Sequence, residues 1–358
     1  MRVKLKDITK FSKGTQINGK NLIDDGAYSY LNGGINPSGK WNEFNVAENT
    51  VTISEGGNSS GYVNYMNEAF WCGAHCYYLY DGPKNSKYLY YALKSQQERL
   101  FRIRSGACMP NIKKSDLGNF IIEYEKDEVR QEEVVKVLEK CELLIEDYNK
   151  KLALLDEAVR ARFVEMFGDE NNSKGWEIVN IEDVANVQVG VVIKPSQYYT
   201  DQYNGIKAFR SLNIGDGYIK DDDWVYFSKE GNKKNKKSIL STNDVLVVRS
   251  GAPGTACVVT SEYAGSNAID VIIAHPDFQK VDSRYLCTYT NMPHGKSQII
   301  EGTGGAAQQH FNVGKYNKLK LMLPPLEYQK QYVKFLEEID KSRLLNNHSL
   351  LLLKSIIF

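Results

Sequence analysis

The sequence predicts a mixed α/β (α+β) fold: two similar globular domains separated by a long antiparallel coiled coil of two helices, arranged as a pseudo-two-fold internal repeat. Two observations carry that expectation. First, apolar side chains fall at Val134, Leu138, Cys141, Ile145, Tyr148, Leu152, Leu155 and Val159, in alternating steps of four and three. That is the 3.5-residue period of a coiled-coil seam. No Pro or Gly interrupts residues 127–167, so one helix is expected over residues 128–168. At 1.5 Å per residue it is about 60 Å long, more than a compact domain needs.

The second observation is self-similarity. Asn49-Thr-Val-Thr-Ile-Ser54 answers to Asn243-Asp-Val-Leu-Val-Val248, a buried strand running into a Gly-rich loop. Lys87-Tyr88-Leu89 answers to Arg284-Tyr285-Leu286, Gly106 to Gly304, and Pro110-Asn111-Ile112 to Phe311-Asn312-Val313. Gln131 answers to Gln329, and Val135-Lys-Val-Leu-Glu139 to Val333-Lys-Phe-Leu-Glu337, both offset by 198. Matches that recur in order mark a duplication of one structural unit.

Taken in order, the chain divides into a first domain at residues 1–125, a central helix at 126–168, a second domain at 169–325 and a second helix at 326–358. Strands are expected at 50–54 and 69–80, and a helix at 86–104 with Tyr88, Leu89, Ala92, Leu93, Leu100 and Ile103 facing inward. Asn171-Asn-Ser-Lys-Gly-Trp176 reads as a linker, and Pro324-Pro325 closes the second domain. The second helix, about 46 Å long at 1.5 Å per residue, shows a less regular seam. Asp340 and Asn347 fall near seam positions there, where a polar residue fixes register. Each helix has a stripe to bury, and pairing the two antiparallel buries both.

Composition, at 42% hydrophobic and 25% charged residues, is that of a globular protein. No apolar segment follows Met1-Arg2-Val3-Lys4, and no run is long enough to span a bilayer, so a cytoplasmic location is expected. The six Cys include no Cys-x-x-Cys pair. Net charge is +1, but residues 123–157 hold twelve acidic and six basic side chains, leaving +7 on the rest. An acidic strut with basic flanks is compatible with phosphate contact.

Catalytic signatures do not emerge. Asn36-Pro-Ser-Gly39 lacks the second proline and the aromatic residue of an adenine methyltransferase tetrapeptide. No Asp/Glu-x-Lys follows Pro276-Asp277 to complete a nuclease motif. Cys72-Gly-Ala-His75-Cys76 lies in a strand-like run and has no second ligand pair. No catalytic, cofactor-binding or metal-binding residue is assigned.

Three segments together resemble a family. Arg162-Phe-Val-Glu-Met-Phe-Gly-Asp169 resembles the motif that ends the central conserved region of Type I restriction–modification specificity subunits. Pro324-Pro-Leu-Glu-Tyr-Gln329 is similar to the Pro-Pro-Leu-x-x-Gln opening their second conserved helix. Asn243-Asp-Val-Leu-Val-Val-Arg-Ser-Gly251 resembles the strand and loop of their target-recognition domains. The first repeat departs from the pattern, with Glu125-Lys-Asp-Glu128 for Pro-Pro-Leu-Glu and Glu55-Gly-Gly57 for Arg-Ser-Gly.

The resemblance implies a non-catalytic subunit whose two target-recognition domains each read half of a split sequence in double-stranded DNA. The coiled coil then sets their separation. Two heads on one face of B-DNA sit about 10–10.5 base pairs apart, leaving about six or seven unread pairs. The implied partners are methyltransferase subunits, two of them, and restriction–translocase subunits. S-adenosylmethionine, ATP and Mg are expected on those partners and no cofactor on this chain. Alternatives are a coiled-coil scaffold with two protein-binding heads, the specificity subunit of a related combined restriction–methylation system, and a self-contained methyltransferase or nuclease.

Base readout needs donor and acceptor side chains carried on loops. Candidates in the first domain are Lys13, Gln16, Asn32, Asn58, Ser59 and Ser60. In the second they are Lys194, Arg210, Asn213, Arg249, Ser250, Gln308, Gln309 and His310. Lys233, Lys234, Lys236 and Lys237 form a cluster suited to phosphates, and Arg249, entering the glycine loop, is the foremost base-reading candidate.

Overall fold

A computed structural model describes residues 1–106, 108–303 and 311–357. The chain forms two compact units. One comprises Met1–Lys151 with Leu345–Phe358, the other Leu152–Leu344.

In the first unit, β1 (Arg2–Lys4) pairs antiparallel with β9 (Ile121–Glu123). Strands β2 (Lys10–Lys13), β8 (Cys76–Tyr80), β5 (Thr50–Ser54) and β6 (Val63–Met66) form an antiparallel sheet in the order β2-β8-β5-β6. A smaller sheet, β4-β3-β7, joins β4 (Gly39–Trp41), β3 (Tyr28–Leu31) and β7 (Phe70–Cys72), with β3 and β7 parallel. Helices α1 (Ser86–Lys94), α2 (Gln97–Arg102) and α3 (Lys114–Gly118) complete the head.

The second unit repeats this plan. Strands β10 (Glu177–Asn180) and β19 (Lys320–Leu323) pair as β1 and β9 do. The main sheet runs β11-β18-β15-β16, with β11 at Ala185–Val189, β18 at Val271–Pro276, β15 at Val245–Val248 and β16 at Ala256–Val258. The smaller sheet is β12-β14-β13-β17: β12 is Tyr199–Thr200, β14 Val225–Phe227, β13 Ile206–Phe209 and β17 Asn267–Ala268. Here β13 and β17 are parallel, as β3 and β7 are. Helix α5 (Lys229–Lys234) is particular to this head, while α6 (Ser283–Asn291), α7 (Pro293–Thr303) and α8 (Val313–Asn317) follow its main sheet.

The duplication extends to backbone detail. Asn49 and Asn243, which precede β5 and β15, both adopt a left-handed conformation, with φ of 57° and 72°. Asn tolerates that region better than most residues. One expected pairing shifts: Ile112 and Phe311 both donate their N–H to the residue that follows the central strand, Glu55 and Arg249. Ile112 is therefore the counterpart of Phe311, not of Val313. Two expected elements divide. The run 69–80 becomes β7 and β8 in different sheets, with Gly73–His75 turning between them, and the run 86–104 breaks after Lys94.

The first long helix, α4, spans Glu128–Phe167 and the second, α9, spans Leu326–Ile357. Gly168, at φ +91°, ends α4 and donates its N–H back to the Val164 carbonyl, a glycine cap that satisfies a terminal acceptor. The shielded stripe of α4 runs through Gln131, Val135, Leu138, Cys141 and Ile145, then Tyr148, Leu152, Leu155, Val159, Phe163 and Phe167. It passes through Val135, which is 9% exposed, and not through Val134, at 42%.

The α9 stripe is more regular than expected. Gln329, Tyr332, Leu336, Ile339, Arg343, Asn346, Leu350, Leu353 and Ile357 alternate steps of three and four. Asp340 and Asn347 lie outside it and are exposed. Asp340 is drawn off by Arg284 of α6 and by Arg343, 3.5 Å away.

Each unit holds its share of both helices. In the second, Tyr332 donates to the Val159 carbonyl at 3.2 Å and Arg343 pairs with Asp156 at 2.5 Å. The partner number falls as the α9 number rises, so the helices run antiparallel. Phe163 and Phe167 enter the core with Tyr285 and Tyr332, with Phe167 and Tyr285 ring centroids 4.8 Å apart. In the first unit, Val135, Cys141 and Ile357 share a cluster with Tyr88 and Tyr91 of α1.

The head-to-helix junctions also repeat. Gln131 is buried and donates to the Glu125 carbonyl at 2.6 Å, and Gln329 is buried and donates to the Pro324 carbonyl at 2.8 Å. Lys87 of α1 pairs with Glu142 of α4 at 3.7 Å, as Arg284 of α6 pairs with Asp340 of α9. Among the described residues no helix is long and apolar enough to cross a membrane.

The seam register is directly testable. Val135→Ala removes two buried methyl-sized groups and should cost about 1.6 kcal/mol in chemical denaturation. Val134→Ala should stay within about 0.5 kcal/mol. Reversed magnitudes would return the seam to Val134.

Candidate nucleic-acid interface

In the second unit β15 delivers Arg249 to the mouth of the glycine loop, which closes where Gly254 donates to the Val248 carbonyl at 3.0 Å. Arg249 is clamped there. Its Nη1 donates to Asp270 at 2.6 Å and its Nε to the Phe311 carbonyl at 3.1 Å. The side chain is 16% exposed, and its Nε and Nη1 tie the loop to two further segments. Ser250 beside it is half-buried.

Asp270 is itself fixed, donating its N–H to the Val191 carbonyl at 3.1 Å. That brings the segment after β11 alongside the Arg249 clamp. Lys194, exposed and left-handed at φ +43°, closes this segment and begins the turn Pro195–Tyr198.

The turn abuts α5. Ser228 donates its N–H to the Tyr198 carbonyl at 2.8 Å, and a Cβ on Gly231 would sit 2.8 Å from the Tyr198 Cβ. Lys233 and Lys234 are exposed on α5, and Lys236 and Lys237 on the following turn, Lys236–Ser238. Gln188 of β11 holds this turn by donating to the Lys237 carbonyl at 2.6 Å. Five of the sequence-identified lysines thus lie on adjoining segments of one head. Such a concentration of positive charge is the electrostatic footprint of a polyanion-binding surface.

Two candidates here take other roles. Asn213 is fully buried; its Oδ1 accepts from the Arg210 N–H at 3.0 Å and its Nδ2 donates to the Asp222 carbonyl at 2.7 Å. These bonds hold the loop and leave nothing to offer a base, which corrects its assignment. Arg210 is half-buried and pairs with Asp223 at 3.2 Å. Gln308, Gln309 and His310 lie outside the described residues.

In the first unit, Glu55 occupies the position of Arg249. Lys13 meets one of its carboxylate oxygens at 2.8 Å and His75 the other at 3.4 Å. His75 precedes β8 as Asp270 precedes β18, so each head ties the residue after its central strand to the same position, through the Glu55 carboxylate in one and the Arg249 guanidinium in the other.

Ser60 is fully buried and donates to the Glu55 carbonyl at 2.7 Å, so it braces the loop and is corrected from base reader to loop brace. Ser59 donates to the Gly33 carbonyl at 2.5 Å, and the Asn32 Oδ1 accepts the His75 N–H at 3.2 Å. Lys13, Gln16 and Asn58 are exposed. Gln16 donates to the Ile17 carbonyl at 3.0 Å, and Asn58 accepts from Arg104 through its own carbonyl at 3.3 Å.

The Cys72, His75 and Cys76 trio does not converge. His75 turns outward to Glu55, while Cys72 and Cys76 are buried. Hydrogen bonding with Cys76 and burial push the Cys72 thiol well above the usual thiol range, which keeps it protonated.

Val192 and Ile193 carried no signal in the sequence. They are 50% and 79% exposed, directly beside Lys194. Nothing marked them, because Val189-Gly-Val-Val-Ile193 reads as one buried strand.

Comparison with known proteins agrees with this architecture. The family model described as Type I restriction modification DNA specificity domain matches residues 1–156 and 173–354. A putative type I specificity subunit of Mycoplasma pneumoniae is 37% identical over 149 residues, covering 41% of this chain and 40% of that protein. A Methanocaldococcus jannaschii type I restriction enzyme specificity subunit is 22% identical over 271 residues, covering 71% of this chain and 63% of that one. The alignments thus span about two fifths to under two thirds of these relatives. The crystal structure of a Type I restriction–modification S subunit from M. genitalium matches with a TM-score of 0.60 at 19% identity, covering 100% of this chain and 93% of that one, which supports the shared fold. With the family match running through both heads and both long helices, the chain belongs to the Type I restriction–modification DNA specificity family.

Proposed function

We propose that this chain is the DNA-recognition subunit of a Type I restriction–modification complex. Each head reads one half of a split target in double-stranded DNA, and the α4–α9 pair sets the separation of the half-sites. The observation that carries this reading is the duplicated head: one sheet plan, one loop position and one helix junction, each present twice. Bipartite readers need two binding modules held on a stiff spacer. The chain's own part is binding and orientation. Methylation of adenine and cleavage belong to partner subunits, which bring S-adenosylmethionine, ATP and Mg. In this reading the exposed basic segments around Lys194 and residues 233–237 supply phosphate contacts, and the loops entered by Arg249 and Glu55 are assigned to base readout.

Sequencing the methylome with and without the gene tests this reading. One split adenine motif should vanish on deletion, and an unchanged methylome would overturn the proposal. A seven-residue deletion within residues 147–157, matched in α9, should alter the spacer or abolish methylation while leaving both half-sequences unchanged.

Replacing Lys233, Lys234, Lys236 and Lys237 together by Ala should weaken binding uniformly across sequences. The slope of log affinity against log salt should fall by roughly 0.9 for each phosphate that is no longer neutralised, as measured by anisotropy titrations.

Arg249→Ala should cost about 1–3 kcal/mol of affinity and relax one half-site only. A lower melting temperature with specificity intact would reduce Arg249 to a loop clamp.

A further inference from the structure

The segment between β11 and the turn Pro195–Tyr198 ends in an aliphatic tip where a solvated loop would carry polar side chains. Its base is fixed on one side by three backbone hydrogen bonds: Gly190 N–H to the Val271 carbonyl at 2.9 Å, Val191 N–H to the Ala268 carbonyl at 2.8 Å, and Asp270 N–H to the Val191 carbonyl at 3.1 Å. On the other side the turn is packed on α5. Between these anchors Val192 and Ile193 stand 50% and 79% exposed. A tip anchored at both ends cannot retract its side chains into the core by local rearrangement. Exposed aliphatic groups held in this way gain free energy only when something covers them.

The surroundings identify the cover. Lys194 follows the tip, the lysines of residues 233–237 lie on the adjoining segment, and Arg249 is linked to the tip's base through Asp270. A partner must therefore present dense negative charge around an apolar spot. Duplex DNA does so in its major groove, where phosphates flank the C5-methyl group of thymine. We infer that Ile193, with Val192 beside it, contacts a thymine methyl in the half-site read by the second head. This inference rests on the DNA-recognition reading and names one determinant within it: an A·T pair selected by apolar contact and not by hydrogen bonding.

The test uses the full chain with its methyltransferase partner and a duplex bearing the motif mapped in the methylome. Each thymine is replaced singly by uracil, which removes the methyl and leaves every hydrogen-bonding group and phosphate in place. Wild type should lose about fourfold in affinity at one thymine, confined to one half-site, the equivalent of one buried methyl group. Ile193→Ala should abolish that difference and bind thymine and uracil duplexes alike, while Ile193→Val should keep most of it. Melting curves confirm that both variants fold.

Thymine sensitivity that survives in Ile193→Ala, or its absence at every position in wild type, would overturn the inference while leaving DNA recognition intact. Wild type that fails to prefer the mapped duplex over a scrambled one would overturn the recognition reading and this inference with it. Ile193-dependent binding to phosphatidylglycerol vesicles, with no thymine effect, would assign the tip to an anionic lipid surface and overturn the inference as well.

Discussion

The burial of one apolar stripe on α4 and one on α9 is the constraint from which the rest of the architecture follows. A helix of forty residues is not held in water by hydrogen bonds and intrinsic propensity alone; most of its stability comes from a face packed against something else. The two helices supply that face to each other, with seam residues spaced three and four apart. Within each unit the head packs on its own stretch of the helices. Phe163 and Phe167 carry the end of α4 into the second core, while Tyr88 and Tyr91 of the first head cover Val135 and Cys141. Gln131 and Gln329 fix the angle at which each helix leaves its head, because a buried amide must satisfy its donors on the local backbone.

Within that shared frame the two heads differ at the residue that follows the central strand, Glu55 in one and Arg249 in the other. Glu55 with Lys13 and His75, and Arg249 with Asp270, occupy equivalent positions at the end of the central strand and secure the same neighbouring segment through Ile112 and Phe311. The backbone geometry is shared between the heads, while a carboxylate in one stands where a guanidinium stands in the other. A base contact inferred in one head therefore has no counterpart to transfer to the other. A carboxylate accepts from cytosine N4, whereas a guanidinium donates to guanine O6 and N7.

What could be read from the sequence was what rests on period and punctuation. The extent of α4 and α9 followed from an unbroken helical pattern, a terminal glycine and a proline pair. Register was harder. Val134 and Val135 are both apolar, and counting back from Leu138 by four or by three selects between them with no further signal. The α9 stripe was obscured because Arg343 and Asn346 fill seam positions while Leu344, Leu345, Leu351 and Leu352 face solvent. The candidate site suffered a different loss. Ser60 and Asn213 have the chemistry of base readers, yet the loops that carry them consume their polar atoms. Composition records which groups are present and not whether a backbone carbonyl has already claimed them. The opposite error hid Ile193, since an aliphatic run gives no sign that its last members leave the sheet.

The first unit is assembled from residues 1–151 and 345–358, with residues 152–344 forming the second unit in between. Ile357, 3% exposed, closes the cluster formed by Tyr88, Tyr91, Val135 and Cys141. On the ribosome that cluster is made early and sealed late. At synthesis rates of about 5–20 residues per second, the intervening segment imposes a wait of roughly ten to forty seconds. During that interval the nascent chain carries an open apolar stripe that a second nascent chain could cover. The order of translation thus makes the α9 end the closing piece of the first unit.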